Sequence, residues 1–297
     1  MTYRYRAFGL AIEADFPIPE LTLDHIGGAP DLHVGTATLP RRGDSYQVEV
    51  DGPVTTIWVP DANAVFQMVE GRRLAVNAPG AEIGRNVRLY LLGSALGAIL
   101  HQRGLLPLHA CVLDFGGKAV AFLGHSGAGK STLAAWLAER GGRLLSDDVC
   151  VVRQEVEGRF SAAVGIPRLR LWRDAIEARG GTTAELPRSF DDWDKYDVPA
   201  AAVDGTDQVE LAALFELAEG ERVSFMPLGG AEAVQRLAAN TYRGSYVRLM
   251  GRTAEHFGQC VELARSVPVE RITRPLDFGC MEADYPRLLE RVRQLTG

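Results

Sequence analysis

The sequence predicts an α/β protein: a P-loop core, a β-rich N-terminal region before it and helices toward the C-terminus. Three observations carry that prediction. The stretch GHSGAGKS, Gly124 to Ser131, fits G-x-x-x-x-G-K-[ST] and stands between an apolar run, KAVAFLG, and a helical one, STLAAWLAER. Short segments rich in β-branched and aromatic residues fill the N-terminal part, punctuated by Gly, Pro, Asp and Asn. Apolar residues recur at helical spacing over 85–104 and again near the C-terminus.

In chain order, YRYRAFGLAIEADF, DLHVGTATL, SYQVEVDG, VTTIWVPD, AVFQMVEG and RRLAVNAP read as strands of an antiparallel meander. They form a separate layer or small domain, residues 1–84, with no cluster of chemically active side chains. Residues 85–297 form the second unit, the P-loop domain with its C-terminal helical segment. It opens with RNVRLYLLGSALGAILHQRG, where Val87, Leu91, Leu92, Leu96, Ile99 and Leu100 share a helical face that stops at Gly104. LPLHACVLDFGGKAVAFLG then reads as a hairpin turning at Gly116-Gly117. After the P-loop, Leu133, Trp136, Leu137 and Arg140 share one face of a helix that Gly141-Gly142 terminates. RLLSDDVCVV follows, then a strand ending near GIPRLRLW and a polar stretch from Arg173 to Lys195. VELAALFEL and RVSFMPL read as a strand pair, with helices over 230–239 and 245–266, a strand in PVERIT and a final helix in ADYPRLLERVRQL.

The bulk composition narrows the function classes. A net charge of −6 gives no general attraction for nucleic acid or an anionic membrane. The longest nearly apolar run, Leu89 to Leu100, is too short to span a bilayer, which needs about 20 residues. MTYRYRAFGLAIEADF lacks the apolar core of a signal peptide. Cys111, Cys150, Cys260 and Cys280 have no zinc or redox spacing, and four buried thiols in a reducing cytoplasm are expected.

The P-loop residues have separate duties. Gly124, Gly127 and Gly129 remove side chains where backbone N–H groups must wrap around phosphate oxygens. His125, Ser126, Ala128 and Thr132 complete the nucleotide-binding run. Lys130 carries a positive charge to the β- and γ-phosphates, and the Ser131 hydroxyl can ligate Mg²⁺. Asp147 and Asp148 stand just before an apolar strand. Two adjacent carboxylates suit split duties, one near the metal and one near the acceptor hydroxyl as general base, although an exposed Asp-Asp turn has the same sequence. If Gly116-Gly117 are the central residues of a tight turn, Phe115 pairs with Lys118 and His109 falls opposite Gly124, beside the phosphates. Arg168 and Arg170 alternate on a strand-like run, as a clamp for phosphate or an acidic peptide, or as an ordinary ion-paired face.

LHACVLDFGGKAVAFLGHSGAGKSTLAAWLAERGGRLLSDDVCVV, residues 108–152, resembles the catalytic domain of the HPr serine kinase/phosphorylase family. That resemblance implies a P-loop kinase core of HPr-kinase type, and transfer of phosphate from ATP or GTP, with Mg²⁺, to a seryl hydroxyl. It implies Asp148 as general base, Lys130 and Ser131 on phosphate and Mg²⁺, His109 as a participant and Asp147 near the metal or the base. Lys195, in DDWDKYDVP, is the candidate for the basic residue that a later loop brings to the phosphates. The chain departs from the family at His125, where an acid is usual, and in GIPRLRLWRDA, which lacks the family's Glu signature. Through YRYRAFGLAIEADFPIPEL and PRLRLW the whole chain is more similar to the divergent kinases found beside ribosomal-peptide clusters, lasso-peptide tailoring kinases among them. There the implied acceptor is a serine on a precursor peptide. The expected partners are therefore a nucleotide and a serine-bearing peptide or small protein, with a homo-oligomer left open. A strict HPr kinase, a small-molecule kinase and a nucleotide-binding regulatory module with little catalysis are the competing readings. No N-K-x-D guanine motif follows the P-loop.

Overall fold

The chain begins with a hairpin, Tyr3–Ala7 against Leu10–Ala14, that turns on Phe8 and Gly9. Both turn residues have positive φ, 57° and 68°, the backbone that matches the twist of the flanking strands. The computed structural model describes residues 1–80, 82–201, 203 and 205–297. The hairpin belongs to an eight-stranded sheet in the order Thr22–Leu23, Tyr3–Ala7, Leu10–Ala14, Leu32–Thr36, Arg73–Asn77, Ala64–Val69, Val54–Val59, Gln47–Asp51. The expected antiparallel pairing of consecutive strands holds in this first hairpin and from Gln47 to Asn77. Leu32–Thr36 runs parallel to both of its neighbours. The segments before and after that strand are long enough to cross over, as a parallel partner requires, and a local alternation pattern carries no record of it.

One face of this sheet is covered by a helical segment in three parts, Arg85–Tyr90, a π-helical turn Leu91–Ala95, and Leu96–Gln102. Leu91, Leu92, Leu96, Ile99 and Leu100 pack with Ile57, Phe66, Met68 and Leu74 in one buried cluster. Val149, Val151 and Ile166, which belong to the second half of the chain, join the same cluster. Gly104, at φ 71°, ends the segment as expected.

The second sheet has nine strands. Seven lie in the order Arg143–Ser146, Ala110–Phe115, Lys118–Leu123, Gln208–Glu219, Phe160–Ala163, Cys150–Gln154, Leu106–Leu108. The Gly116-Gly117 hairpin has the expected register, with Phe115 opposite Lys118 and Ala110 opposite Leu123. Its strands are apolar on both faces because both are covered. Cys111, Leu113, Val120 and Phe122 face the helices Lys130–Ala138 and Met281–Thr296, while Ala110, Val112, Ala119 and Ala121 face Gly230–Ala239 and Thr253–Ser266.

Two expected elements differ. Gln208–Glu219 and Ser224–Leu228 do not pair with each other. Val269–Arg274 lies between them, parallel to the first and antiparallel to the second. The helix expected over 245–266 is broken into Ser245–Leu249 and Thr253–Ser266, because Gly251 takes φ 69° and stops the first piece in the left-handed region. Cys111, Cys150 and Cys260 are buried free thiols, while Cys280 is partly exposed. No described helix is long and apolar enough to cross a membrane.

Candidate active site

The loop between Leu123 and Lys130 bends through three glycines at positive φ: Gly124 at 154°, Gly127 at 88° and Gly129 at 73°. A Cβ on Gly129 would lie 2.6 Å from the Arg274 guanidinium, so close approach as well as backbone conformation requires glycine there. Lys130 opens the following helix. Its Nζ donates to the carbonyl oxygens of Gly124 at 2.6 Å and His125 at 3.0 Å, and to His109 Nε2 at 3.0 Å. Burial lowers the lysine pKa below its usual value.

The hairpin ladder ends with Ala110 opposite Leu123, one residue short of the expected His109–Gly124 pair. His109 sits between Leu106–Leu108 and Ala110–Phe115, and its own N–H donates to Asn240 O at 2.7 Å. His109 Nδ1 lies 3.0 Å from the Asp148 carbonyl oxygen, which can only accept. The proton therefore resides on Nδ1, and Nε2 offers its lone pair to Lys130. Burial first, then the Lys130 ammonium, lower the imidazole pKa to about 3. His109 is therefore a neutral side chain in contact with Lys130 and the Asp148 carbonyl.

Asp147 and Asp148 follow the strand Arg143–Ser146 and divide sharply in environment. Asp147 Oδ1 accepts from Ser131 Oγ at 2.9 Å, from the Asp148 N–H at 3.0 Å and from the Cys111 thiol, and Oδ2 accepts from the Arg170 N–H at 2.8 Å. Burial and the Asp147 charge raise the Cys111 pKa, so this thiol is a protonated donor. Asp148 takes φ 72°, a conformation uncommon for a residue with a side chain. Its carboxylate is ion-paired with the Arg170 guanidinium. Arg170 comes from a two-stranded ribbon, Arg168–Trp172 against Lys195–Pro199, whose register sets Lys195 opposite Trp172. Arg168, on the same strand, is bound to Asp197 at 2.6 Å.

Two cavities meet at this cluster. The first, about 320 Å³, is lined by Ser126, Gly127, Gly129, Lys130, Ser131 and Thr132. Three exposed apolar side chains, Trp172, Leu276 and Phe278, line it as well. The second, about 640 Å³, shares His109, Ser126, Asp148, Arg170 and Lys195 with the first as lining residues. Gly124 and His125 face the second cavity, and Ala128 is buried beneath the loop. Burial and then Arg170 lower the Lys195 pKa.

Sequence reasoning missed Arg274. This side chain is 2% exposed, donates to Ala128 O at 2.6 Å and Tyr285 OH at 2.7 Å, and props the P-loop from beneath. Its place at the end of PVERIT gives no local signal, since the strand partner that brings it under the loop is distant in sequence. The Arg170–Asp148 contact is missed for the same reason.

The donor set fits a magnesium nucleotide. The loop residues Ser126, Gly127 and Gly129 line the first cavity beside Lys130, Ser131 and Thr132. Ser131 Oγ and Asp147 are adjacent oxygen donors, and Mg²⁺ takes one or two protein oxygens while phosphates and water complete its shell. Among the described residues no group of three or more His, Cys, Asp or Glu is placed to hold a metal by itself.

No family model matches the chain, and no curated protein matches it. Among solved structures, the Hpr(Ser) kinase/phosphatase from Coxiella burnetii is similar over 63% of this chain and 97% of that one, at 14% identity and a TM-score of 0.33. A likeness of that depth leaves the function to be read from the site itself.

Proposed function

We propose that the chain is a Mg²⁺-assisted kinase of HPr-kinase type that moves the γ-phosphate of ATP or GTP to a seryl hydroxyl of a peptide or small protein. The acceptor class suggested by the sequence resemblance is a ribosomal, lasso-type precursor peptide. The observation that carries this reading is the pair of cavities sharing one wall. A nucleotide holder needs the first cavity only. A transferase needs a second, opening on the terminal phosphate from the opposite side, so that donor and acceptor oxygens stand in line.

In this reading the phosphates lie along the loop amides and the base lies toward Trp172 and Phe278. Lys130 exchanges one of its three acceptors for a phosphate oxygen. Ser131 and Asp147 would hold Mg²⁺, whose charge would offset the negative charge of the phosphates. Asp148 takes the proton of the acceptor hydroxyl as the new oxygen–phosphorus bond forms, and the bond to the β-phosphate oxygen breaks to release the diphosphate. For that, Arg170 leaves the carboxylate and moves to the phosphoryl oxygens it faces across the shared wall. His109 keeps Lys130 and the Asp148 backbone in register, and Lys195 adds positive charge beside the transferring group.

The Arg170–Asp148 ion pair favours a second reading, a nucleotide-binding module with little catalysis, because the carboxylate is occupied by the guanidinium and not open to an acceptor hydroxyl. One experiment separates the two. Serine-containing peptides are incubated with the protein, ATP and Mg²⁺ and weighed by mass spectrometry, with Asp148→Asn alongside. The kinase reading expects phosphopeptide from the wild type, a loss of about 10² to 10⁴ in rate for Asp148→Asn, and ATP affinity changed little. Equal turnover in the two proteins removes Asp148 from the mechanism.

A further inference from the structure

The second cavity carries more positive charge than the reaction uses. Arg170, Lys195, Arg236 and Arg243 line it against two carboxylates, Asp148 and Glu216. Asp148 is answered by Arg170, and Glu216 by Arg271 at 2.8 Å and Arg236 at 3.5 Å. Lys195 and Arg243 have aromatic partners instead. Lys195 Nζ is 5.8 Å from the Trp172 ring, and the Arg243 guanidinium is 5.9 Å from Tyr46 and 5.7 Å from Tyr242. Among the described residues neither has a carboxylate within ion-pair distance.

Position decides what this charge serves. Lys195 and Arg170 border both cavities and face the phosphates. Arg236 and Arg243 border the second cavity only, so the nucleotide does not account for them. The chain as a whole has a net charge of −6, so a cluster of cations here is a local arrangement and not a consequence of composition. Arg243 is moreover held at φ 51°, an uncommon conformation for a side-chain-bearing residue that the turn before Ser245–Leu249 imposes. Around it the wall is aromatic, with Tyr90, Trp193 and Tyr242. Tyrosine, tryptophan and arginine are the side chains that dominate peptide and protein interfaces.

We propose, on the basis of the phosphoryl-transfer reading, that the second cavity seats the acceptor and that the acceptor is an acidic peptide segment. Its hydroxyl lies at the shared wall beside Asp148, and carboxylates one or two residues away lie on Arg243 and Arg236. The aromatic rings hold the intervening backbone. A peptide with basic residues flanking its serine meets like charge on the same wall.

The test needs no knowledge of the natural acceptor. Three short serine peptides, with acidic, neutral and basic flanks, are compared for phosphate incorporation. Their serine-to-alanine analogues are compared for binding by fluorescence anisotropy. The acidic analogue is expected to bind about tenfold tighter than the neutral one, or about 1.4 kcal/mol, and to lose that advantage as salt rises. Arg243→Gln should remove most of the preference, and Arg243→Lys should restore part of it. Titration of ATP confirms that each variant retains an intact P-loop. Equal binding of the three analogues by the wild type overturns the proposal, as does a preference that survives in Arg236→Gln/Arg243→Gln. Acidic binding without any transfer would leave this docking site standing and sink the kinase reading, so the two fail separately.

Discussion

His109 shows how a single side chain links burial to pH. Its folded pKa is about 3 against an ordinary value of 6.5, with burial the first cause and Lys130 the second, partly offset by Asp147. Below 6.5 the unfolded chain takes up a proton at this position and the folded chain does not. Stability is therefore highest above 6.5 and falls as pH drops from there toward 3. Burial also lowers the pKa of His101 and His256, so they add to the same slope. The melting temperature of His109→Gln should fall less between pH 7.5 and pH 5, relative to the wild type, than that of the unsubstituted chain. The glutamine amide can still donate to the Asp148 carbonyl. A variant as acid-sensitive as the wild type would show that His109 is protonated within the fold. At this scale the sequence was informative where geometry is local. The tight turn brings His109 within one residue of the P-loop, where the ladder ends and a bond to Asn240 holds its backbone. Asp147 and Asp148 are adjacent in sequence, yet nothing local separates the one that holds Ser131 from the one that meets Arg170. That difference is made by a strand more than twenty residues away.

The P-loop was legible because its shape demands residue types that a pattern records. Three glycines at positive φ and a lysine at the helix start leave few alternatives. Its support was not legible, since Arg274 reaches the loop through the pairing of Val269–Arg274 with Gln208–Glu219. The same limit applies to the parallel strand Leu32–Thr36, whose alternation is that of any half-buried strand. The dependence of the loop on its support can be measured at Gly129. A methyl group there must adopt φ 73° and stand 2.6 Å from a buried guanidinium that already holds Ala128 O. Gly129→Ala should cost about 1–3 kcal/mol of stability and weaken ATP binding at least tenfold, read by thermal melting and by nucleotide titration. Arg274→Lys, which keeps charge but cannot span Ala128 and Tyr285 with one planar group, should weaken ATP binding with a smaller loss of stability. Wild-type ATP affinity in both variants would mean that the loop holds its shape without this strut.

The whole molecule joins its two sheets at the place where the second cavity opens. Leu89, Tyr90 and Gly93, from the helical segment that covers the first sheet, form one side, and Asn240 to Arg243, between two helices of the second half, form another. The π-helical turn Leu91–Ala95 lies within that wall, and such turns are frequent at functional sites. The N-terminal region thereby acquires a role its sequence did not disclose: its core fixes the segment that shapes the cavity. Gly93 tests this. Its place near Tyr242 is tight, with a Cβ falling 3.1 Å from the phenolic oxygen, and it borders the second cavity but not the first. In Gly93→Leu the side chain should displace Tyr242 and fill space that the proposed acceptor would occupy. The KM for a peptide acceptor should rise about tenfold or more, while the KM for ATP stays within about twofold and melting shows a folded protein. Loss of both KM values together would mean that the helical segment supports the nucleotide site as well. No change in either would place the acceptor elsewhere, and with it the reason for a second cavity at the end of the phosphate loop.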